Sequence, residues 1–167
     1  EFFDYILRIQ KTTENFFQII LTPMIDHARK AVKQSGLSED LVLIKEVPHS
    51  EIGDYLSAAD VAFCPVKQTP SKKYCSPVKT GEYLASGLPI IITKDISDDS
   101  SFIESNQIGL VVDFDDPLAQ STNPDLQSLV ESSDRSRIQA LGRTYRDAKH
   151  NFKVYNEVFR AISEPRH

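Results

Sequence analysis

Four residues within one short stretch are arranged to do chemistry. In CSPVKTGEYLASGLPIII, from Cys75 to Ile92, Ser76 and Pro77 stand at the start of a short helix and Glu82 lies one turn inside it. Gly87 marks its end. Ser is a good N-cap residue and Pro a good first residue of a helix. The spacing therefore predicts a helix whose first free N–H groups, those of Val78 and Lys79, point out of its positive end. Such an end holds phosphate. A carboxylate one turn further in repels phosphate but accepts two hydrogen bonds from a vicinal diol, which a ribose offers. Phosphate at the helix tip and a diol beside Glu82 together describe a nucleotide.

For that chemistry to work, the helix has to sit at the ligand-binding edge of a sheet. FFQIILT (Phe16 to Thr22) is a continuous apolar run, as in a buried strand. DLVLIKEV, DVAFCPV, LPIIIT and IGLVVD are four more strand-like segments. Helical patterns separate them. EFFDYILRIQKTTE places Phe2, Ile6, Ile9 and Thr13 on one side, and MIDHARKAVKQSG has Pro23 in its first turn and ends at Gly36. Ser50 is a candidate N-cap for EIGDYLSAA, and DDSSFIESN is a short helix. Beyond Pro117, both LAQSTNPDLQSLVESS and the remaining tail read as helical. Strands alternating with helices predict βαβ units. The fold class is α/β: one Rossmann-like domain over residues 1–167, a parallel sheet with helices on both faces and a helical C-terminal tail. In such sheets ligands bind beyond the carboxyl ends of the strands, and the loop from Lys67 to Cys75 lies there.

Composition narrows the function further. A net charge of −5 on 167 residues gives no basic footprint for nucleic acid. Two cysteines, Cys64 and Cys75, form neither a disulfide framework nor a zinc spacing, which suits a reduced, cytoplasmic setting. No apolar stretch approaches the roughly 20 residues of a membrane span. The acidic run Asp95 to Asp99 is read as helix N-terminal capping rather than a metal site. His27 is read as solvent-facing, while His150 and His167 have no partner spacing. Phe152, Tyr155, Val158 and Phe159 follow helical spacing and are expected in core or interdomain packing.

SPVKTGEYLASGLPIII closely resembles the motif S-P-x-K-x-x-E-Y-L-A-x-G-x-P-V-I of family 4 (group 1) GT-B glycosyltransferases. EVPHSEIGDYLSAADVAFCPV, FIESNQIGLVVDFDDP and LGRTYRDAKHNFKVYNEVF are similar to neighbouring family segments, so the resemblance covers about positions 16 to 163. It implies the C-terminal, nucleotide-sugar-binding half of a two-domain enzyme, here a fragment of a longer chain. The enzyme would transfer a sugar, with retention, from a nucleoside diphosphate carrier to a glycan, lipid or other acceptor, as in polysaccharide biosynthesis. By resemblance Glu82 contacts the ribose. Tyr74 stands where many members have a first Glu against the donor sugar, a departure shared by the S-P-x-K variant. Ser76, Pro77, Val78 and Lys79 fall against the sugar or diphosphate; Pro77 has no N–H, so Val78 and Lys79 are the expected donors. Pro48 and His49 fall near the base. The resemblance carries two departures at the front of the chain: no segment before Phe16 matches the family's opening strand and cationic turn, and the N-terminal acceptor domain is missing. The expected partners are the nucleoside diphosphate sugar and that domain, with no metal and no other cofactor. Membrane contact is expected only of the parent enzyme, if its acceptor is lipid-linked. Two alternatives stay open: a sugar-nucleotide epimerase of GT-B fold and a non-catalytic α/β binding module.

Overall fold

The computed structural model describes residues 2–114, 116 and 125–163. Within them five strands alternate with helices in the order α1 (Phe2–Thr12), β1 (Gln18–Leu21), α2 (Ile25–Ser35), β2 (Val42–Lys45), α3 (Ile52–Ala58), β3 (Ala62–Cys64), α4 (Val78–Ala85), β4 (Ile90–Thr93), α5 (Ser97–Ser105) and β5 (Gly109–Val112). Three further helices follow: α6 (Leu126–Glu131), α7 (Arg135–Tyr145) and α8 (Ala148–Ser163). Every strand pair is parallel. β1 pairs with β2, and β3, β4 and β5 pair in that order. The α/β class, the parallel pairing and the helical tail are as expected. The single continuous sheet is not, because β1 and β3 are not hydrogen-bonded to each other.

Helices cover both faces, and β4 shows why. Its side chains alternate between two cores. Ile90 and Ile92 join Leu84, Leu88, Ile96, Ile103, Ile108 and Ile138 on one face. Ile91 joins Tyr5, Ile6, Ile9, Val32, Phe114 and Leu126 on the other. All four β4 residues are buried, as the run LPIIIT predicts for a strand covered on both sides. The equally apolar β1 differs: its four residues are only half-buried, because one edge borders an open groove instead of another strand.

Other local expectations are corrected. Pro23 precedes α2 rather than entering its first turn, and Met24 is the N-cap. Ser50 lies inside a 3-10 turn, His49–Glu51, and Glu51 precedes α3 without a side-chain cap. Phe152, Tyr155, Val158 and Phe159 on α8 are solvent-exposed, so no core among the described residues takes them. The helix expected immediately after Pro117 lies outside the described residues as far as 124; α6 begins at Leu126.

Helix α4 is held from both ends. At its C-terminus Gly87 adopts φ +72°, Leu88 N–H donates to Tyr83 O at 3.0 Å and Gly87 N–H to Leu84 O at 3.0 Å. This is a Schellman turn, which an L side chain at position 87 would strain. Along its length α4 packs on α7 at Gly142, where a Cβ would lie 2.7 Å from the Leu84 Cβ. Gly142→Ala is therefore expected to lower stability by about 1–3 kcal/mol through overpacking. Gly53→Ala, on α3 with nothing within 4 Å of the added carbon, is expected to be neutral or to stabilise by up to about 1 kcal/mol. Urea unfolding of the two variants, followed by circular dichroism, checks the contrast.

Candidate functional site

The candidate residues come from separate elements that follow strand ends. Pro48 and His49 follow β2, Tyr74 to Pro77 lead into α4, and Lys79 and Glu82 stand on α4. The structure brings His49 and Glu82 together, with His49 Nδ1 3.9 Å from Glu82 Oε1. Glu82 is about one third exposed and His49 almost fully so, at 30% and 85% of their side chains. Both are open to a solute. Glu82, Lys79 and Tyr83 also line the groove between the two sheets.

The entry to α4 differs in detail from expectation. The helix starts at Val78, Pro77 is its N-cap residue, and Ser76 does not cap it. Ser76 Oγ instead donates to Asp99 Oδ2 at 3.4 Å. The N–H groups of Val78 and Lys79 fall in the first turn of the helix, where no carbonyl four residues back can pair with them. Thr80 N–H is held by Pro77 O at 3.2 Å. Val78 is 80% exposed and Tyr74 is 83% exposed. Tyr74 closes a 3-10 turn with the exposed Lys72 and Lys73. A cationic turn with an exposed aromatic ring thus leads into the N-terminus of α4, the helix that carries Glu82.

Asp99 escaped the sequence reading. It lies in the first turn of α5, as capping would require, but Ile96 is the N-cap and makes no side-chain cap bond. The Asp99 side chain is fully buried. Its Oδ1 accepts from Tyr145 Oη at 2.7 Å and from Arg146 Nη2 at 2.5 Å. The carboxylate thereby ties the end of α7 and the Ser76 loop to α5. Tyr145 stacks on Phe102 with ring centroids 3.8 Å apart. Burial, and then the bond to Asp99, push the Tyr145 phenol well above its ordinary pKa. The partners stand 46 and 47 residues from Asp99, so no local spacing signals them.

Cys64, buried beneath α4, and Tyr83, half-buried on it, are both held in the neutral form. Burial raises the Cys64 thiol, which sits 3.9 Å from the Thr80 hydroxyl. Burial also pushes Tyr83 up to about 12, so it remains a hydrogen-bond donor, to Phe63 O at 3.4 Å. Of the remaining histidines, His27 is exposed as expected. The side chain of His150, and His167 altogether, lie outside the described residues. Both cysteines are free. No helix among the described residues is long and apolar enough to cross a membrane.

Asp99→Asn is expected to cost roughly 3 kcal/mol, the low end for breaking a buried ion pair, because Arg146 stays 31% exposed and is partly resolvated. A fall in the urea midpoint at unchanged slope checks this. The raised Tyr83 pKa has a sign that can be tested. Its folded value exceeds the unfolded value of about 10, so its contribution is complete below pH 10 and is lost as pH rises towards 12. Tyr83→Phe is expected to flatten the decline of stability between pH 10 and 12, measured as urea midpoints across that range.

Comparison with known proteins agrees with this architecture. No curated protein sequence matches the chain. Among solved structures, sucrose-phosphate synthase from Thermosynechococcus elongatus is similar in fold, with a TM-score of 0.61 at 19% identity. The match covers 95% of this chain and 42% of that one. The model of the family described as glucosyltransferase 3-like, C-terminal domain, matches residues 8–145. A parallel α/β fold shared with that solved structure and a family match over most of the sequence lead to one statement: the chain belongs to the glucosyltransferase 3-like, C-terminal domain family.

Proposed function

We propose that this domain binds the nucleoside diphosphate portion of a sugar donor, and that the whole protein transfers the sugar with retention of configuration. The observation that carries the proposal is the meeting of His49 and Glu82. They come from different βα units, 33 positions apart, and meet within 3.9 Å at the strand-end edge. Glu82 accepts the ribose hydroxyls, and the exposed His49 ring and Pro48 lie against the base. The N–H groups of Val78 and Lys79 take the diphosphate, aided by the cations of Lys72, Lys73 and Lys79. Tyr74 and Ser76 face the sugar end. Helix-end amides fixed in advance stabilise the departing diphosphate without reorganising during the reaction. Acceptor-side groups come from a further domain, so the chain alone binds donor without turning it over.

An NMR titration with UDP, GDP and ADP tests this. Saturable shifts at Val78, Lys79, Glu82 and His49 are expected for one of the three. Glu82→Ala is expected to weaken that binding about 10-fold, the loss of one charge-assisted hydrogen-bond pair. Shifts that scatter away from α4, or an affinity that Glu82→Ala leaves unchanged, would sink the assignment. Turnover of a sugar nucleotide by this chain alone would overturn the division of labour.

A further inference from the structure

A buried carboxylate is hydrogen-bonded to the loop that enters α4. The Asp99 side chain has no exposed surface, and its Oδ2 accepts from Ser76 Oγ. Val78, the first residue of α4, follows Ser76 by two positions, at most about 7 Å of backbone. The negative charge of Asp99 and the free N–H groups of Val78 and Lys79 are therefore neighbours. They act on an anion in opposite senses. Helix-end amides attract a phosphate, and a carboxylate repels it.

Burial makes this carboxylate count for more than the exposed charges around it. Lys72 and Lys73 stand in water and are screened by salt, whereas a buried charge is screened much less. Asp98, beside it in the first turn of α5, adds a second negative charge. An unpaired Asp99 would act on a diphosphate at the α4 terminus with a strength out of proportion to its single charge.

Arg146 removes that imbalance. Its Nη2 donates to Asp99 Oδ1 at 2.5 Å. The side chain is held from two sides. Its Cγ lies against α4, 3.9 Å from where a Cβ on Gly81 would stand. Its guanidinium carbon lies 4.9 Å from the centre of the Tyr145 ring, which stacks on Phe102 of α5. Holding it there leaves a donor unsatisfied. Arg146 Nε is buried with no hydrogen bond among the described residues, and a buried donor without a partner destabilises a fold. A buried ion pair is itself a poor source of stability compared with apolar groups of the same volume. Stability alone does not account for the pair, whereas its place between α5 and the N-terminus of α4 does.

We propose that Arg146 is a positioning residue for the donor diphosphate: by neutralising Asp99 it keeps the N-terminus of α4 favourable to an anion. The guanidinium acts through Asp99 rather than on the ligand. The inference rests on the donor reading above and goes beyond it, because it assigns phosphate affinity to two side chains outside the residues that touch the nucleotide.

Nucleotide titrations followed at the Val78 and Lys79 amides test it. UDP, GDP and ADP are each compared with their own nucleoside, so that the ratio of the two affinities isolates the diphosphate. Arg146→Gln leaves Asp99 unpaired and is expected to lower that ratio about 10-fold, with nucleoside binding held within about 2-fold. Asp99→Asn leaves the cation alone and is expected to raise the ratio about 3-fold, although the protein is less stable. The double variant Asp99→Asn/Arg146→Gln carries neither charge and is expected to return the ratio to within about 3-fold of the unmodified chain. It also decides the matter where Arg146→Gln alone does not fold, since a double variant without diphosphate preference refutes the proposal. Tyr145→Phe removes a bond to Asp99 but no charge, so it is expected to lower the urea midpoint and leave the ratio unchanged. A purely structural clamp has a different signature: both single variants weaken nucleoside and diphosphate binding together. That pattern, or an Arg146→Gln ratio equal to that of the unmodified chain, would overturn the inference and leave the donor reading standing. Failure of the unmodified chain to bind any of the nucleotides would overturn both.

Discussion

A strand buried on both faces must satisfy its backbone on both edges and fill two cores at once, and β4 is that strand. Ile90, Ile91 and Ile92 are all at 0% exposure, and they alternate between the two apolar clusters. Burial of this kind offers no water to unpaired amides, so β3 and β5 are obligatory neighbours. The constraint reaches α4 through three residues, Gly87, Leu88 and Pro89. The Schellman turn stops the helix and the strand begins at once, so the Glu82 backbone keeps a fixed relation to Ile90. Gly142 then sets how closely α7 presses on the same helix. The placement of the carboxylate is thus a consequence of core packing several residues away.

Polar contacts complete what packing begins. Asp99 sits where α5, the end of α7 and the loop before α4 converge, and its two oxygens serve three donors. Arg137 Nη2 donates to Asn106 O at 2.8 Å, and Arg135 donates to the Ala59 and Ser57 carbonyls. Two basic residues from the first turn of α7 thus cap the ends of α5 and α3. A helix that contributes no candidate ligand-binding residue therefore fixes three that flank the site. Such a carboxylate is tolerated in the interior because its charge is paired and its lone pairs are used; removing one partner exposes the full desolvation cost.

The parts legible in the sequence were those decided by neighbours in the chain. Gly87 and Pro89 mark a helix stop and a strand start because φ > 0 and a missing N–H are local demands. LPIIIT announced a doubly covered strand for the same reason. Ser76 shows the limit. As a sequence it reads as an N-cap, but a hydroxyl can choose among acceptors and donors, and the buried Asp99 carboxylate takes it. Asp99 itself reads as one more first-turn acid, because its burial depends on Tyr145 and Arg146, which spacing cannot reveal. The pairing of His49 with Glu82 was legible only through resemblance, since nothing local brings a turn after β2 to a helix after β3. The run FFQIIL reads as a fully buried strand, yet Ile19, Ile20 and Leu21 are half-exposed; the residues suit an environment that the described structure only half supplies. On α8, regular spacing of Phe152, Tyr155 and Phe159 marked a helix face, but the packing expected of it is not with any core among the described residues.

The two members of the central pair belong to different halves of the sheet. His49 follows β2 and depends on the β1–β2 ladder for its position. Glu82 rides on α4, which is anchored to β3, β4 and α7. Between those halves α1 and its apolar cluster make one connection, and Arg135 of α7 makes a polar one to the Ser57 and Ala59 carbonyls at the end of α3. Apolar contact is non-directional, whereas a ladder of backbone hydrogen bonds fixes register and spacing. The His49–Glu82 separation is therefore set by packing and isolated side-chain bonds rather than by a ladder. The pair is thus defined by a ladder of backbone hydrogen bonds within each half and by side-chain contacts between the halves.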